Sequence, residues 1–311
     1  MYQKLDFMCN KNKLMWLIFG IIVLSQVSCR ELVQDEFPEM TPVPTVNSFL
    51  VADSTIKVYV SLAAKLDTFQ LDVVDEAEVQ LYVDGIFEEN LSLQGNGMYV
   101  SECLVEAGSV YLCKVDIDGF NPVSCIDSIP IPSSILGVEH IDIAGIDEEG
   151  YTYAAFKLTF SNLPEEQRYY EVIIRLKYRD YWREGYLQDI VDPVLLSEGL
   201  PMSVFSNDLM EDETYTLLIN YATGSVSTRS GVLRTDLFPF ILELRSISYD
   251  YYQYLRQLYL YNLGRFPEFA GGSMGTFPLH SNVENGYGIF AGYSSTFSEL
   301  INPDSTRCES K

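Results

Sequence analysis

Histidine is nearly missing from this chain, with two residues in 311. With no CxxC pair anywhere, that scarcity argues against a zinc centre, which draws on clustered Cys and His ligands. Positive charge is thin as well. Twenty Lys and Arg stand against 44 Asp and Glu, a net charge of −24 at pH 7. Such a chain repels phosphate backbones, so nucleic acid is excluded as a partner. A long apolar run is also lacking. Leu14–Leu24, the unbroken apolar stretch near the start, holds 11 residues. As a helix it would rise about 16 Å, roughly half of a ~30 Å hydrocarbon core, too short for a membrane span.

What surrounds that stretch gives it another meaning. Lys4, Lys11 and Lys13 precede it and small or polar residues follow, the layout of a secretory signal. Ser28 directly before Cys29 resembles a bacterial lipobox, with Gln26 where Leu is usual. The expectation is a lipoprotein signal peptide over residues 1–28, cut before Cys29, with lipid carried on Cys29. Several acyl chains on one residue anchor firmly where a single chain is marginal. The remaining 283 residues, with 17 basic and 43 acidic side chains, are enough for two domains. Residues 29–44, acidic and punctuated by Pro38, Pro42 and Pro44, read as a semi-extended linker.

From residue 45 the pattern is that of strands. Asn47–Val51 and Ile56–Leu62 flank Asp53-Ser54 as a hairpin. Val79, Leu81 and Val83 alternate with Glu78, Gln80 and Tyr82 before Asp84-Gly85, a favoured two-residue turn. Met98–Cys103 and Val110–Val115 read as a further hairpin, and a strand follows near Pro122–Ile126. Short strands at this spacing predict an immunoglobulin-like β-sandwich over residues 45–130. IPIPSS (Ile129–Ser134) reads as a boundary. Beyond it, Ala154–Phe160, Val172–Tyr178, Thr214–Tyr221 and Leu242–Ile247 continue the alternation. Residues 131–311 are therefore expected to form a second, fibronectin III-like sandwich, with an irregular insertion at 187–210, an added helix and a C-terminal strand. The fold class is mainly β, two tandem sandwiches.

The helix is SYDYYQYLRQLYLYNLG, expected over residues 248–263, with Ser248 as N-cap and Gly264 as the closing glycine. Its six tyrosines from Tyr249 to Tyr261 suit packing on an adjoining sheet, with hydroxyls at the rim. Of the six cysteines, Cys9 would leave with the signal and Cys29 would carry lipid. An exported compartment permits disulfides, and Cys103 with Cys113, flanking the expected hairpin, is the most plausible pair among Cys103, Cys113, Cys125 and Cys308.

Catalytic, cofactor and metal sites are not expected. GGSMG (Gly271–Gly275) formally matches G-x-S-x-G, but Pro267 and Pro278 deny it the strand–turn–helix setting of a nucleophile elbow. DIDG (Asp116–Gly119) and DEEG (Asp147–Gly150) lack calcium-loop spacing and read as turns. His140 and His280 stand in no recognisable nucleophile–base–acid order. In HSNVENG, Asn285-Gly286 can turn tightly, and Asn282, Glu284 and Asn285 form a candidate ligand loop.

Three segments carry a resemblance: VNSFLVADSTIKVYVS (Val46–Ser61), SISYDYYQYL (Ser246–Leu255) and HSNVENGYGIFAGYS (His280–Ser294). Over roughly residues 40–300 the chain resembles the Bacteroidota lipoprotein family catalogued as domain of unknown function 4249. The resemblance implies an exported outer-membrane lipoprotein, often encoded beside a TonB-dependent transporter, and implies no reaction. The expected function is a non-catalytic accessory or binding module for such a transporter, lipid-anchored and facing the cell exterior, its ligand unknown. The alternative is an adhesin or envelope-structural lipoprotein.

Overall fold

Period-two alternation carries most of the chain into strands. The computed structural model describes residues 41–63, 72–188, 190–197, 200–229, 232–264 and 278–303. Cys29, the linker before residue 41, GGSMG and Cys308 lie outside them. From Thr41 onward the chain forms one compact unit.

The first half lays down β1 (Pro44–Val51), β2 (Thr55–Leu62), β3 (Asp72–Val73), β4 (Ala77–Val83), β5 (Ile86–Asn90), β6 (Ser92–Gly95), β7 (Met98–Leu104), β8 (Val110–Ile117) and β9 (Val123–Ser128). After residues 129–134 come the long β10 (Ile135–Ile146), β11 (Tyr151–Ser161), β12 (Tyr169–Tyr178) and β13 (Tyr181–Glu184). The expected insertion holds β14 (Tyr186–Leu187), a 3-10 turn at Pro193–Leu195, β15 (Leu196–Ser197), β16 (Leu200–Pro201) and β17 (Val204–Ser206). Then follow β18 (Thr214–Ala222), β19 (Val226–Arg229), β20 (Val232–Thr235) and β21 (Phe240–Ile247). Helix α1 (Tyr249–Gly264) comes next, and β22 (Val283–Glu284) and β23 (Tyr287–Phe297) complete the order. Turn chemistry sets several joints. Asp84 and Gly85 both take positive φ, 50° and 81°, the backbone of a tight hairpin between β4 and β5.

Two sandwiches result, and they share a sheet. A ten-stranded sheet runs β13-β12-β21-β23-β1-β2-β7-β6, with β17 also on β12 and β3 also on β2. One end of it faces the five-stranded sheet β22-β9-β8-β4-β5, and Val46, Leu50, Val58, Leu81, Val115 and Phe290 are buried between them. The other end faces a sheet built around β14-β18-β11-β20-β19, burying Phe156, Phe160, Tyr170, Leu217, Phe240 and Leu242. The seam is β23. It pairs antiparallel with β21 and parallel with β1, from Thr45↔Tyr287 to Val51↔Tyr293. The sequence reading gave residues 283–297 wholly to the second sandwich. Their pairing joins both halves, and Val283 and Phe290 fill the first core.

Glycines at this seam answer to close approach. A Cβ on Gly288, whose φ is +126°, would lie 1.9 Å from the carbonyl oxygen of Val46, and one on Gly292 would meet Ile129 Cδ1 at 2.1 Å. At Gly288 only glycine fits, since both its φ and a backbone oxygen exclude a side chain, whereas at Gly292 the end of the Ile129 side chain would have to move aside. The IPIPSS segment is held to the same strand, with Ser294 Oγ donating to the Pro130 carbonyl at 2.6 Å and Thr296 Oγ1 to that of Ser133 at 2.8 Å.

Two sequence-based expectations are corrected here. β7 and β8 do not form a hairpin. β7 pairs with β2 and β6 in the large sheet, whereas β8 pairs with β4 and β9 in the facing one. The connection between them therefore crosses from sheet to sheet, as sandwich connections do. For the same reason Cys103 and Cys113 are not bonded. Both are free thiols, as is Cys125, which stands opposite Cys113 in the β8–β9 register.

Candidate functional site

The helix forms where the sequence places it, and its first turn organises the segments that carry the family resemblance. Ser248 caps it, its Oγ accepting from Tyr251 N at 3.2 Å and its carbonyl from Tyr252 N at 3.0 Å. One turn in, Asp250 accepts from Asn282 Nδ2 at 3.1 Å and lies 2.6 Å from His280 Nε2. Asn282 also donates to the Phe290 carbonyl at 2.7 Å and accepts Phe290 N at 2.9 Å. Glu284 accepts from Ser124 Oγ at 3.0 Å, and Asn285, at φ 58°, donates to the Pro122 carbonyl at 3.0 Å. Asn282, Glu284 and Asn285 thus stand together, and each brackets β22–β23 onto β9 or α1.

Behind this cluster lies Asp127, 8 % exposed. It accepts Gly292 N and Ser128 N, both at 2.8 Å, and bonds Ser248. Burial pushes its carboxyl up from 3.8 to about 7, against those hydrogen bonds and helped by the charge of Asp250. His280 and Asp250 have the form of a base and its orienting acid, but the nearby hydroxyl, Ser248 Oγ, is buried against Asp127 and the Tyr251 amide. That serine caps a helix. His140 is equally committed, to Tyr221 Oη and Asp142, both at 2.9 Å.

The body of α1 lies on the outer face of the large sheet. Tyr251 and Tyr252 pack with Ile247, Ile289, Ala291, Met202 and Val204. Tyr251 stacks on Tyr293 with centroids 5.6 Å apart, and Tyr252 on Tyr169 at 4.6 Å. Beneath sits a charged network. Arg245 donates to Glu243 at 2.7 Å and to Glu171 at 2.8 Å, with its guanidinium 4.4 Å from the Tyr293 ring centre. Arg175 Nε adds a 2.7 Å bond to Glu243, and Ser295 Oγ another at 2.9 Å. Burial raises Glu171 despite Arg245, while at Glu243 the bonds from Arg245 and Arg175 overcome burial and lower it. In sequence Glu243 and Arg245 alternate as on a solvated face. In the fold Glu243 is buried to 2 %, with Arg175, Arg245 and Ser295 bonded to it.

Past the helix's midpoint the cover ends, and an open groove of about 590 Å³ begins. Buried Ile173 and Met202 line it, with Tyr186, Leu187, Tyr259 and Glu184. The sequence gave no sign of it, because its walls come from β12, the insertion and α1. A cavity of this size, mostly apolar with a few polar groups, has the form of a small-ligand cleft. Burial and Glu89 push Cys103 up to about 11, and its hydrogen bond with Cys113 and burial push Cys125 up as well. Among the described residues no group of three or more His, Cys, Asp or Glu could hold a metal ion, and no helix is long and apolar enough to cross a membrane.

Comparison with the curated proteins gives no match. A family model described as a domain of unknown function, DUF4249, matches residues 30–299, which take in both sandwiches, α1 and the whole of the seam strand, and the chain belongs to that family.

Proposed function

We propose that this chain is a non-catalytic binding module, tethered by lipid at Cys29 to the outer membrane and facing the exterior, that serves a TonB-dependent transporter. The observation that carries the binding role is the groove beside Tyr259. Its lining is mostly apolar and it is open, and Glu184 is the one carboxylate that lines it among the described residues. Hydrolytic chemistry on paired acids needs a second. The leader ending at Ser28-Cys29 and the family's expected genomic setting support the tether and the transporter. The acidic surface keeps such a module soluble at the end of its linker.

Two measurements test this reading. Intact-mass analysis of the native protein should show a lipidated amino terminus at Cys29. Purification from mildly solubilised membranes should bring down a large β-barrel transporter in comparable amount. A chain that elutes alone and carries an unmodified terminus would remove the proposal. A strain lacking the protein should lose growth on a particular nutrient, whereas lost attachment with intact nutrition would assign the adhesin role instead.

A further inference from the structure

The β12–β13 hairpin gathers what the rest of the molecule has little of. In a chain with 20 basic residues, Arg175, Lys177, Arg179 and Arg183 fall within one short segment, interleaved with Tyr178, Tyr181 and Trp182. Their situations differ. Arg175 is bound to Glu243. Arg183 donates to the Thr223 carbonyl and lies 4.9 Å over the Tyr178 ring and 5.3 Å over that of Phe238. Lys177 and Arg179 are exposed, and among the described residues neither has an ion-pair partner. Arg179 occupies the turn at φ 55°, its guanidinium 5.6 Å from the Tyr178 ring centre.

These two cations line a second open pocket of about 530 Å³, with Tyr178, Phe238 and Asn302. Among the described residues no carboxylate lines it. Asp180 in the turn and Glu299 are the acids nearest along the chain, and both are exposed. Lys177 pairs across the hairpin with Trp182, so the two side chains share a face. Trp182 is 47 % and Tyr181 54 % exposed. A net charge of −24 repels anions at long range, but screening confines that field to about 8 Å at physiological salt. Inside that distance, two unpaired cations select negative charge. The arginine fork matches a carboxylate, exposed rings match the apolar face of a pyranose, and Asn302 can both give and accept a hydroxyl hydrogen bond.

We propose that this pocket binds an acidic saccharide, with a uronate carboxylate held by Lys177 and Arg179 in the pocket and a neighbouring sugar face against the exposed ring of Trp182, which stands outside the lining on the Lys177 face. The proposal goes beyond the accessory role. Binding is measured on the purified chain alone, whereas the accessory role is read from what co-purifies, so either can fail without the other.

The test uses the purified lipidated protein, from Cys29 on, in mild detergent, where Trp182 is the single tryptophan. Trigalacturonate, maltotriose and inorganic phosphate are titrated, followed by emission and by calorimetry. Trigalacturonate should shift Trp182 emission saturably, and maltotriose should bind at least about tenfold more weakly, as loss of a charge-assisted bond requires. The double variant Lys177→Ala with Arg179→Asn, the asparagine suiting the left-handed turn, should weaken trigalacturonate at least about tenfold at an unchanged melting temperature. Lys177→Arg should restore most of the affinity. Absence of trigalacturonate binding, equal binding of maltotriose, or indifference to the double variant would each overturn the proposal. Displacement by equimolar phosphate would also overturn it, leaving a plain anion site.

Discussion

At the scale of single residues, the seam glycines and Asp127 make the sharpest claims. Gly288→Ala drives a methyl into the Val46 carbonyl at a φ that L residues rarely adopt. Its cost should be about 3 kcal/mol or more, read as a lowered urea midpoint. Gly119→Ala, at φ +84° but in open space, should cost only about 1–2 kcal/mol. Asp127 carries a pH signature. Its folded value, about 7, lies above its ordinary 3.8, so the folded state holds a proton that the unfolded chain releases. The stability this gives is full below pH 3.8 and fades as pH rises through 7, at up to ~1.4 kcal/mol per pH unit. Glu171, also raised, adds to that slope, and Glu243, lowered, opposes it. Comparison with Asp127→Asn isolates the one group. Urea midpoints at pH 4.5, 6 and 7.5 should show the wild type losing roughly 1–3 kcal/mol relative to the variant. Parallel curves would mean that Asp127 is ionised throughout.

At the scale of elements, the helix depends on its first turn. Ser248→Ala removes the acceptor for Tyr251 N and a partner of Asp127. It should lower stability by about 1–2 kcal/mol, with the loss visible in melting temperature. Strands and helix were legible in the sequence because each is written locally. Val79, Leu81 and Val83 alternate, Asp84-Gly85 turns, and Ser248 precedes a run of helix formers. What stayed hidden is contact between elements. Nothing local to Met98–Cys103 and Val110–Val115 says whether the connection turns back as a hairpin or crosses to the facing sheet. That choice decided the place of Cys103. The burial of Glu243 was equally hidden, since its partners Arg175 and Ser295 lie on other strands of the sheet. Of the candidate site, the signature residues Asn282, Glu284 and Asn285 were found, but their bonds to Pro122, Ser124 and Asp250 show a clasp between distant segments.

At the scale of the whole molecule, the shared sheet predicts that the halves unfold together. Phe290, fully buried in the first core, sits on the strand that also pairs with β21 of the second. Phe290→Ala should cost about 3–5 kcal/mol. Accessibility of the buried Cys113 and Cys125 thiols reports the first sandwich, and Trp182 emission the second. Both probes should move to the same new midpoint, as one cooperative unit requires. Two separate midpoints would show that the halves melt independently and that β23 merely adjoins them.

The parallel pairing of β1 with β23 has a consequence for how the chain is made. Asn47 accepts the amide of Ile289 across 242 residues of sequence, so a nascent chain emerging from the ribosome carries β1 with one edge open until nearly everything else has followed. Contacts this distant slow folding, and an unpaired edge invites the wrong neighbour in the meantime. The last long strand among the described residues is the one that closes the sheet, so the arrival of that strand, and not formation of either half, commits the chain to its final shape.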